Sequence, residues 1–310
     1  MSAGLRVAVT GATGLIGGRL LARLRADGAE TTILTRNAAR TRQRLSLTAS
    51  ERALDWQPTG EAAPADALSG RDAVVHLAGE PIAQRWSEDV KLELRESRVL
   101  GTQNLIAALR ELPDDERPRT LISGSAVGYY GPHGEEPLDE DAPAGGDFLA
   151  GVCREWEREA ARATELGMRV VHVRTGIVLD RHGGALAKML PPFRLGVGGP
   201  VAGGRQFISW VHADDVVGLI AAALGDERWS GPVNATAPTP VSNRDFSRAL
   251  GRALHRPALL PVPGVALRLL YGDMAEIVTT GVRAMPAKAL VLGYEFAQPE
   301  LDAALRDALA

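Results

Sequence analysis

Short apolar runs alternate with segments of helical periodicity along the first ~180 residues of the chain. The runs are rich in Val, Ile and Leu, as in parallel strands that are covered on both faces. Strands are expected at 5–10, 31–34, 53–56, 73–77, 120–123 and 169–174. Because a parallel sheet with helices on both faces requires such strand-helix alternations, the pattern predicts an α/β fold with a doubly wound parallel sheet.

Two long helices are expected within this alternation. The first begins at Ser87, whose side chain suits a helix cap, and runs past Leu105 with a break near Gly101. The second covers 148–166, with Glu157 near its centre. Glu157 is expected to pair locally.

The regular alternation loosens after Thr175. Further helical patterns lie at 185–193, from 214, at 243–254 and at 265–271. We therefore predict a cofactor-binding domain over 1–175 and a smaller substrate-binding or lid part over 176–310. Within the smaller part, the segment 208–235 is expected to return to the sheet.

A glycine-rich segment joins the first strand to the first helix, in the stretch LRVAVTGATGLIGGRL at 5–20. Gly11, Gly14 and Gly17 allow a tight turn, a close approach to a diphosphate and close packing of helix on strand. The free N–H groups at the helix start favour a bound anion. Turn glycines are common in any strand-helix unit, but the strand before this motif and the helix after it favour dinucleotide binding.

Arg36 follows the second strand, where many NAD-binding folds carry an acidic residue for the ribose hydroxyls. A guanidinium suits a ribose phosphate, and nothing acidic stands there to repel it, so NADP (NADPH) is favoured over NAD. The alternative is a solvated basic loop. The predicted cofactor-binding residues are Gly11, Thr13, Gly14, Leu15, Ile16, Gly17, Arg36, Leu77, Ala78 and Gly79.

Composition narrows the range of partners. The formal net charge of −3 gives no basic excess for nucleic acid or an anionic membrane. No apolar stretch approaches the roughly 20 residues that span a bilayer, and no signal-peptide pattern is present, so we expect a cytoplasmic protein. Cys153 stands alone and forms no intrachain disulfide or multi-cysteine metal site. We expect no metal, a small-molecule substrate, and a monomer or homodimer.

Hydroxyl groups gather after the fifth strand, where such folds hold the polar groups of a substrate. The catalytic candidates are Ser125, Tyr129 and Tyr130, and the alternative is a glycine-rich turn with surface tyrosines. His76 lies inside an apolar run and is expected to be a packed core residue.

Several polar and aromatic residues of the distal half are candidates to line a substrate pocket, because arginines beside an aromatic ring suit an anionic or sugar-nucleotide ligand. These candidates are Arg174, Arg205, Gln206, Trp210 and His212. The alternative is that Trp210 belongs to the core and His212 caps a turn. Asp214 and Asp215 are expected to begin a helix rather than bind a metal.

The segments TGATGLIG, HLAG, SGSAVGYYG and WVHADD resemble the extended short-chain dehydrogenases/reductases of the NAD(P)-dependent epimerase/dehydratase superfamily. HLAGEPIAQRW, SRVLGT, FLAGVCREWE and NATAPTPVSNRDF narrow the resemblance to an atypical, SulA-like epimerase subfamily with its own C-terminal domain. The resemblance implies a Rossmann-type fold and NADP binding at Gly11, Gly14, Gly17 and Arg36.

The resemblance does not extend to the usual catalytic pair. The superfamily carries a tyrosine and, four residues later, a lysine, but the lysine position falls here at Val152 or Cys153. Arg98 stands where an asparagine is usual. Ser125 lies where the superfamily's substrate-orienting hydroxyl is expected, with Ser123 the other candidate.

Two functional hypotheses follow from this mixture. The first is an NADP-dependent oxidoreductase or epimerase that acts on a small polar substrate, such as a sugar nucleotide. In it, Ser125 and a loop tyrosine orient the reacting oxygen. The second is a sensor or regulatory protein that binds NADP without turnover, which the missing tyrosine-lysine pair favours.

Overall fold

The computed structural model describes residues 4–310, including all of their side chains except those of Ala266 and Leu270. A sheet of seven parallel strands forms the centre, in the order β7-β6-β5-β4-β1-β2-β3. The strands are β1 (Arg6–Thr10), β2 (Glu30–Thr35), β3 (Glu51–Asp55), β4 (Ala73–His76), β5 (Thr120–Ala126), β6 (Arg169–Thr175) and β7 (Gly231–Ala235). This sheet confirms the predicted Rossmann-type α/β fold.

Helices connect the strands and build the distal part. They are α1 (Leu15–Ala26), α2 (Ala38–Leu45), α3 (Ala65–Leu68), α4 (Glu88–Glu111), α5 (Phe148–Ala161), α6 (Gly184–Arg194), α7 (Ala213–Gly225), α8 (Asn243–Leu254), α9 (Gly264–Tyr271), α10 (Ala275–Thr280), α11 (Ala287–Val291) and α12 (Leu301–Leu309). Short strands pair outside the main sheet: Ile177–Leu179 with Trp210–His212, Phe207–Ile208 with Val241–Ser242, and Pro137–Leu138 with Arg283–Ala284. Three 3-10 turns cover Val127–Tyr130, Arg162–Leu166 and Gly272–Met274.

The two long predicted helices differ in detail from the structure. α4 is continuous, so the predicted break near Gly101 is wrong. A Cβ at this glycine would lie 3.3 Å from the Cβ of Pro58, so the missing side chain allows a close contact rather than a kink. The other helix, α5, ends at Ala161 instead of reaching residue 166, and a 3-10 turn follows it.

Alternate side chains of β1 enter two separate apolar layers. Val7 and Val9 pack with buried residues of α1 and α7, whereas Ala8 packs with buried residues of α4 and α5 on the opposite face. The sheet is therefore covered on both sides, and its carboxyl edge remains as the place where loops can form a ligand site. No helix within residues 4–310 is long and apolar enough to cross a bilayer.

The chain leaves the sheet after β6 and returns to it as β7, which pairs with β6 in parallel. The C-terminal residues then pack back on this region. Both carboxylate oxygens of the buried Asp215, on α7, accept hydrogen bonds from backbone amides, those of Ala297 at 2.7 Å and Gln298 at 3.0 Å. The division into domains at residue 175 stays a prediction.

Replacing Asp215 with Asn should loosen this contact. The amide group of Asn offers one acceptor instead of two, so one buried N–H loses its partner and the free energy of unfolding should fall by about 1–3 kcal/mol. Urea unfolding followed by circular dichroism measures the change. The neighbouring Asp214→Asn removes an exposed ion pair with Arg19 and should cost less than about 1 kcal/mol. Equal losses in the two variants would contradict this assignment.

Candidate cofactor and substrate site

The glycine-rich loop between β1 and α1 has the shape of a diphosphate cradle. Gly11 has φ +71°, and a Cβ there would lie 2.7 Å from the carbonyl carbon of Leu77. A Cβ at Gly17 would overlap the Gly11 carbonyl oxygen, so α1 lies directly on the loop. Gly14 is the N-cap of α1 and provides no side-chain cap, which leaves the helix amides uncovered for an anion. The loop therefore fits a dinucleotide phosphate group.

Thr10, which the sequence analysis did not select, shapes the neighbouring wall of this site. Its hydroxyl oxygen accepts hydrogen bonds from the amides of Leu77 and Ala78, both at 3.1 Å, and so fixes the segment after β4. The same hydroxyl lies 2.8 Å from Nδ1 of His76. Burial lowers the pKa of His76 to about 4, so this histidine is a neutral core residue.

Arg36 lies just after β2 and forms an ion pair with Glu80 from the loop after β4, at 2.9 Å between Nη1 and Oε1. The Arg36 side chain is 70% exposed and that of Glu80 is 31% exposed. The expectation that nothing acidic lies near Arg36 is therefore wrong. The acidic partner comes from 44 residues further along the chain, so the sequence next to Arg36 could not show it.

Cys153 stands at one of the two positions where the resemblance places a lysine, and Arg98 stands where an asparagine is usual. Arg98 is buried and donates to the Glu80 carbonyl at 3.0 Å, and its guanidinium lies 5.3 Å from the ring of Trp156. Burial, together with the negative charge of Glu157, raises the pKa of Cys153 to about 12, so the thiol stays protonated at neutral pH. Of these two residues, only Arg98 carries a charge.

A buried polar network lies below the carboxyl ends of β5 and β6. Its centre is a bidentate ion pair, in which Arg174 donates to the two carboxylate oxygens of Glu157 at 2.8 and 2.9 Å. Ser125 donates its hydroxyl proton to the same carboxylate at 2.6 Å. Glu157 therefore does not pair locally, because these partners lie 17 and 32 positions away in the sequence.

Arg174 also connects this pair to Tyr130. Its Nη1 donates to the Tyr130 hydroxyl and to the Glu140 carbonyl, both at 3.0 Å, so all three guanidinium nitrogens are engaged. The Tyr130 hydroxyl in turn donates to the side-chain oxygen of Asn234 at 2.7 Å. Burial raises the pKa of Tyr130 to about 12. Arg174 is thus a core residue and not the predicted pocket residue, and Tyr130 is poorly placed to exchange a proton.

Tyr129 is the tyrosine that keeps its hydroxyl available. Its ring packs edge-on against Tyr130, and the Arg174 guanidinium carbon lies 3.5 Å from the ring centroid. The hydroxyl makes no hydrogen bond to any residue between 4 and 310. Because the single O–H of Ser125 donates its hydrogen bond to Glu157, only the lone pairs of this hydroxyl remain for a ligand. The three predicted catalytic residues lie together, but only Tyr129 has a free donor.

The predicted residues of the distal half mostly serve the structure. Gln206 donates to the carbonyls of Val201 and Val278, each at 3.0 Å. Trp210 is fully buried and donates to the Thr239 carbonyl at 3.0 Å. Trp210 therefore belongs to the interior, and the side-chain amide of the half-buried Gln206 is used by backbone contacts.

His212 is also buried, and its Nδ1 accepts from the Asp214 amide at the start of α7, so the capping alternative describes it. Arg205, in contrast, is exposed and has no hydrogen bond or ion pair within the described part of the chain. It remains a candidate for contact with a ligand.

Three potential metal ligands do come together, in His212, Asp214 and Asp307, with their ligand atoms within 4.8 Å of one another. Charge pairs account for this arrangement. Asp214 pairs with Arg19 at 2.7 Å, and Asp307 lies 3.2 Å from Nε2 of His212. Nε2 of His212 is buried and has no hydrogen-bond partner among the described residues, although it lies beside Asp307. The ion pair with Arg19 and the start of α7 account for the position of Asp214.

Glu157 was the largest omission among the functional residues, and the sequence carried a signal for it. It lies on the same helix face as Cys153, Trp156 and Ala160, all of which are buried. An acidic residue on an apolar helix face needs a buried partner. Arg174, inside the apolar run of β6, was the basic residue in the sequence that could serve as this partner.

Comparisons with known proteins agree with this geometry. The family described as "NAD dependent epimerase/dehydratase family" matches residues 7–234, and "Domain of unknown function (DUF1731)" matches residues 262–308. "Epimerase family protein SDR39U1 homolog, chloroplastic" from Arabidopsis thaliana is 41% identical over 308 residues, which cover 97% of this chain and 86% of that protein. "Epimerase family protein SDR39U1" from Homo sapiens is 37% identical and covers 99% of this chain and 100% of that protein.

Solved structures give the same result. The crystal structure of human epimerase family protein SDR39U1 (isoform 2) with NADPH has a TM-score of 0.86 and 34% identity, and covers 98% of this chain and 99% of that one. UDP-glucuronic acid 4-epimerase from Bacillus cereus, with UDP-glucuronic acid and NAD, has a TM-score of 0.78 at 17% identity over 98% of this chain and 99% of that one, and shares the fold. The chain belongs to the NAD-dependent epimerase/dehydratase family, which confirms the resemblance seen in the sequence.

Arg174→Met should test the central ion pair. It leaves the buried Glu157 carboxylate without its cation, so the free energy of unfolding should fall by about 3–5 kcal/mol. The double variant Arg174→Met/Glu157→Met removes both charges and should recover most of this loss. Urea unfolding of the three proteins measures the effect.

Arg95→Met is the matched control, because Arg95 pairs with Glu155 on the same helix α5 but is 45% exposed. Its loss should be below about 1 kcal/mol. A double variant as unstable as Arg174→Met alone would show that the pair is not the source of the effect.

Proposed function

We propose that this protein binds NADPH between the glycine-rich loop and the ends of β2 and β4. The observation that carries the proposal is that Arg36 and the start of α1 follow two neighbouring strands of the sheet. Arg36 follows β2, and the start of α1, which has no side-chain cap, follows β1. The loop would hold the diphosphate and the guanidinium the 2′-phosphate. The NADPH in the human relative's crystal structure supports this choice.

We further propose an oxidoreductase or epimerase reaction on a small polar substrate. The bound nicotinamide would supply or accept hydride. Tyr129 would donate a hydrogen bond to the reacting oxygen, since its hydroxyl has no other partner in residues 4–310. Ser125 would accept a hydrogen bond from a substrate hydroxyl, because its own O–H already donates to Glu157. Tyr130 would hold this loop in place through Arg174 and Asn234.

An anionic substrate, such as a sugar nucleotide, fits the distal side of the site. Arg205 is exposed beside the short strand Phe207–Ile208, and Arg283 packs over the ring of Phe207 at 4.9 Å. Buried nitrogens with no hydrogen-bond partner among the described residues, Nε of Arg283 and Nδ1 of His133, lie on this side. Buried polar atoms without a partner call for an explanation, and a bound anionic substrate would supply one here. We expect the protein in the cytoplasm and leave a monomer and a homodimer open.

A second candidate function is NADPH binding without turnover, as a sensor of the cofactor. The observation that favours it is the state of the buried acids, because burial raises the pKa values of both Tyr130 and Cys153 to about 12. Neither group would exchange a proton readily near pH 7. The missing lysine points in the same direction.

The cofactor assignment predicts a selective effect of Arg36→Ala. NADPH binding should weaken by about 1.5–3 kcal/mol, the scale of a hydrogen bond to a charged group, whereas NADH binding should change little. Isothermal titration of both nucleotides measures this difference. Arg40→Ala, in the neighbouring helix α2, is the control for a change in general charge. Equal weakening of NADPH and NADH would refute a phosphate contact at Arg36.

The enzyme and sensor hypotheses separate in a substrate screen. Nicotinamide fluorescence should change when the NADPH-loaded protein is mixed with a set of sugar nucleotides and small carbonyl compounds. If turnover occurs, Tyr129→Phe should reduce it by about 10²-fold or more, as expected for a lost proton donor. Ser125→Ala should also reduce it. Unchanged turnover in both variants would rule out these catalytic roles. Because an epimerase restores its cofactor in each turnover, the sensor is favoured only if no compound oxidises NADPH and product analysis finds no compound converted in the presence of NADP or NADPH.

A further inference from the structure

We propose that Glu80 sets the strength of the preference for NADPH, by acting as a counter-ion that the 2′-phosphate must displace from Arg36. The inference rests on the proposed function, since it concerns the same cofactor site. It assigns a specificity-determining role to an acidic residue that follows β4 rather than β2. The site then contains its own competitor for the ribose phosphate.

The contact geometry supports direct competition. The Arg36 and Glu80 side chains meet at 2.9 Å, and both remain partly open to solvent. A 2′-phosphate that reaches the same guanidinium has to take the place of the Glu80 carboxylate, so the ion pair is lost when the phosphate binds. The affinity of the protein for NADPH is reduced by the cost of breaking this pair. NADH carries no 2′-phosphate and binds without breaking it.

The backbone anchors on both sides show why the pair forms without a ligand. The Glu80 amide donates to Oγ of Ser97 at 3.1 Å, and its carbonyl accepts from Arg98 at 3.0 Å. On the other side, Gln57 donates to the Arg36 carbonyl at 3.3 Å. The main chain at both residues is thus held, and only the two side chains have to move apart. The Glu80 carboxylate can therefore leave Arg36 by a change of side-chain conformation, without a movement of the main chain.

Glu80→Gln is the direct test, because Gln keeps the shape of Glu and removes its charge. We expect the variant to bind NADPH about two- to fivefold more tightly than the wild type does at low salt, the size of one exposed charge contact. NADH affinity should stay within about twofold. Isothermal titration with each nucleotide gives both constants, and the gain should shrink at high salt, because salt screens exposed charges.

Two further variants make the result specific. In Arg36→Ala/Glu80→Gln, the second change should no longer raise NADPH affinity above that of Arg36→Ala, because the competition needs the guanidinium. Glu93→Gln, on the exposed side of α4, removes one negative charge elsewhere and should leave both affinities unchanged.

Weaker or unchanged NADPH binding in Glu80→Gln would overturn the inference, since Glu80 would then orient Arg36 or play no part. A gain that persists without Arg36 would overturn it as well. A wild-type protein that fails to bind NADPH would overturn the proposed function itself, which is a different result from NADPH binding that ignores Glu80.

Discussion

The buried ion pair between Arg174 and Glu157 joins the parts of the molecule on which the candidate site depends. Arg174 comes from the end of β6 and Glu157 from the middle of α5, and Ser125 adds the end of β5 to the same contact. Two charges are removed from water here, which is favourable only when every donor and acceptor has a partner. The bidentate geometry and the contacts to Tyr130 and Glu140 meet this condition.

This network also limits the chemistry that the site can perform. In a short-chain dehydrogenase the tyrosine hydroxyl must face the substrate with a lysine beside it, as the sequence resemblance implies. Here the Tyr130 hydroxyl is bonded in the interior, Cys153 holds its proton, and the fixed cations nearby are the guanidinium groups of Arg174 and Arg98. Of the three predicted catalytic residues, only Tyr129 keeps a hydroxyl without a hydrogen-bond partner among the described residues. The fold is thus conserved in outline while the usual catalytic arrangement is absent.

The sequence predicted those features that depend on neighbouring residues. Apolar runs, glycines and capping side chains act over a few positions, so the sheet and the loop that follows Thr10 could be predicted. Contacts between distant segments could not be predicted in the same way. Glu80 meets Arg36 only because β4 lies beside β1, which in turn lies beside β2.

Contacts between distant segments also explain why the predictions for the distal half were less accurate. Trp210 lies on a three-residue strand that pairs with another short strand, and so short an apolar run looks like a loop in the sequence. Gln206 seemed available for a substrate because its partners are carbonyl groups, which any residue can provide. Polar side chains that satisfy backbone groups cannot be distinguished from ligand contacts until the fold is known.

The hydrogen bonds between the sheet region and the C-terminal residues have an evolutionary consequence. Asn234 on β7 donates to the Met285 carbonyl, and the two carboxylate oxygens of Glu140 accept from the Asn234 and Lys288 amides. The two bonds that reach the later segment use its main-chain atoms, so they constrain the path of the chain rather than the residue types at 285 and 288. Recombination that gave the sheet a different C-terminal module would leave one oxygen of the buried Glu140 carboxylate and the side-chain amide of Asn234 without these partners. The two regions are therefore expected to be inherited together as one unit.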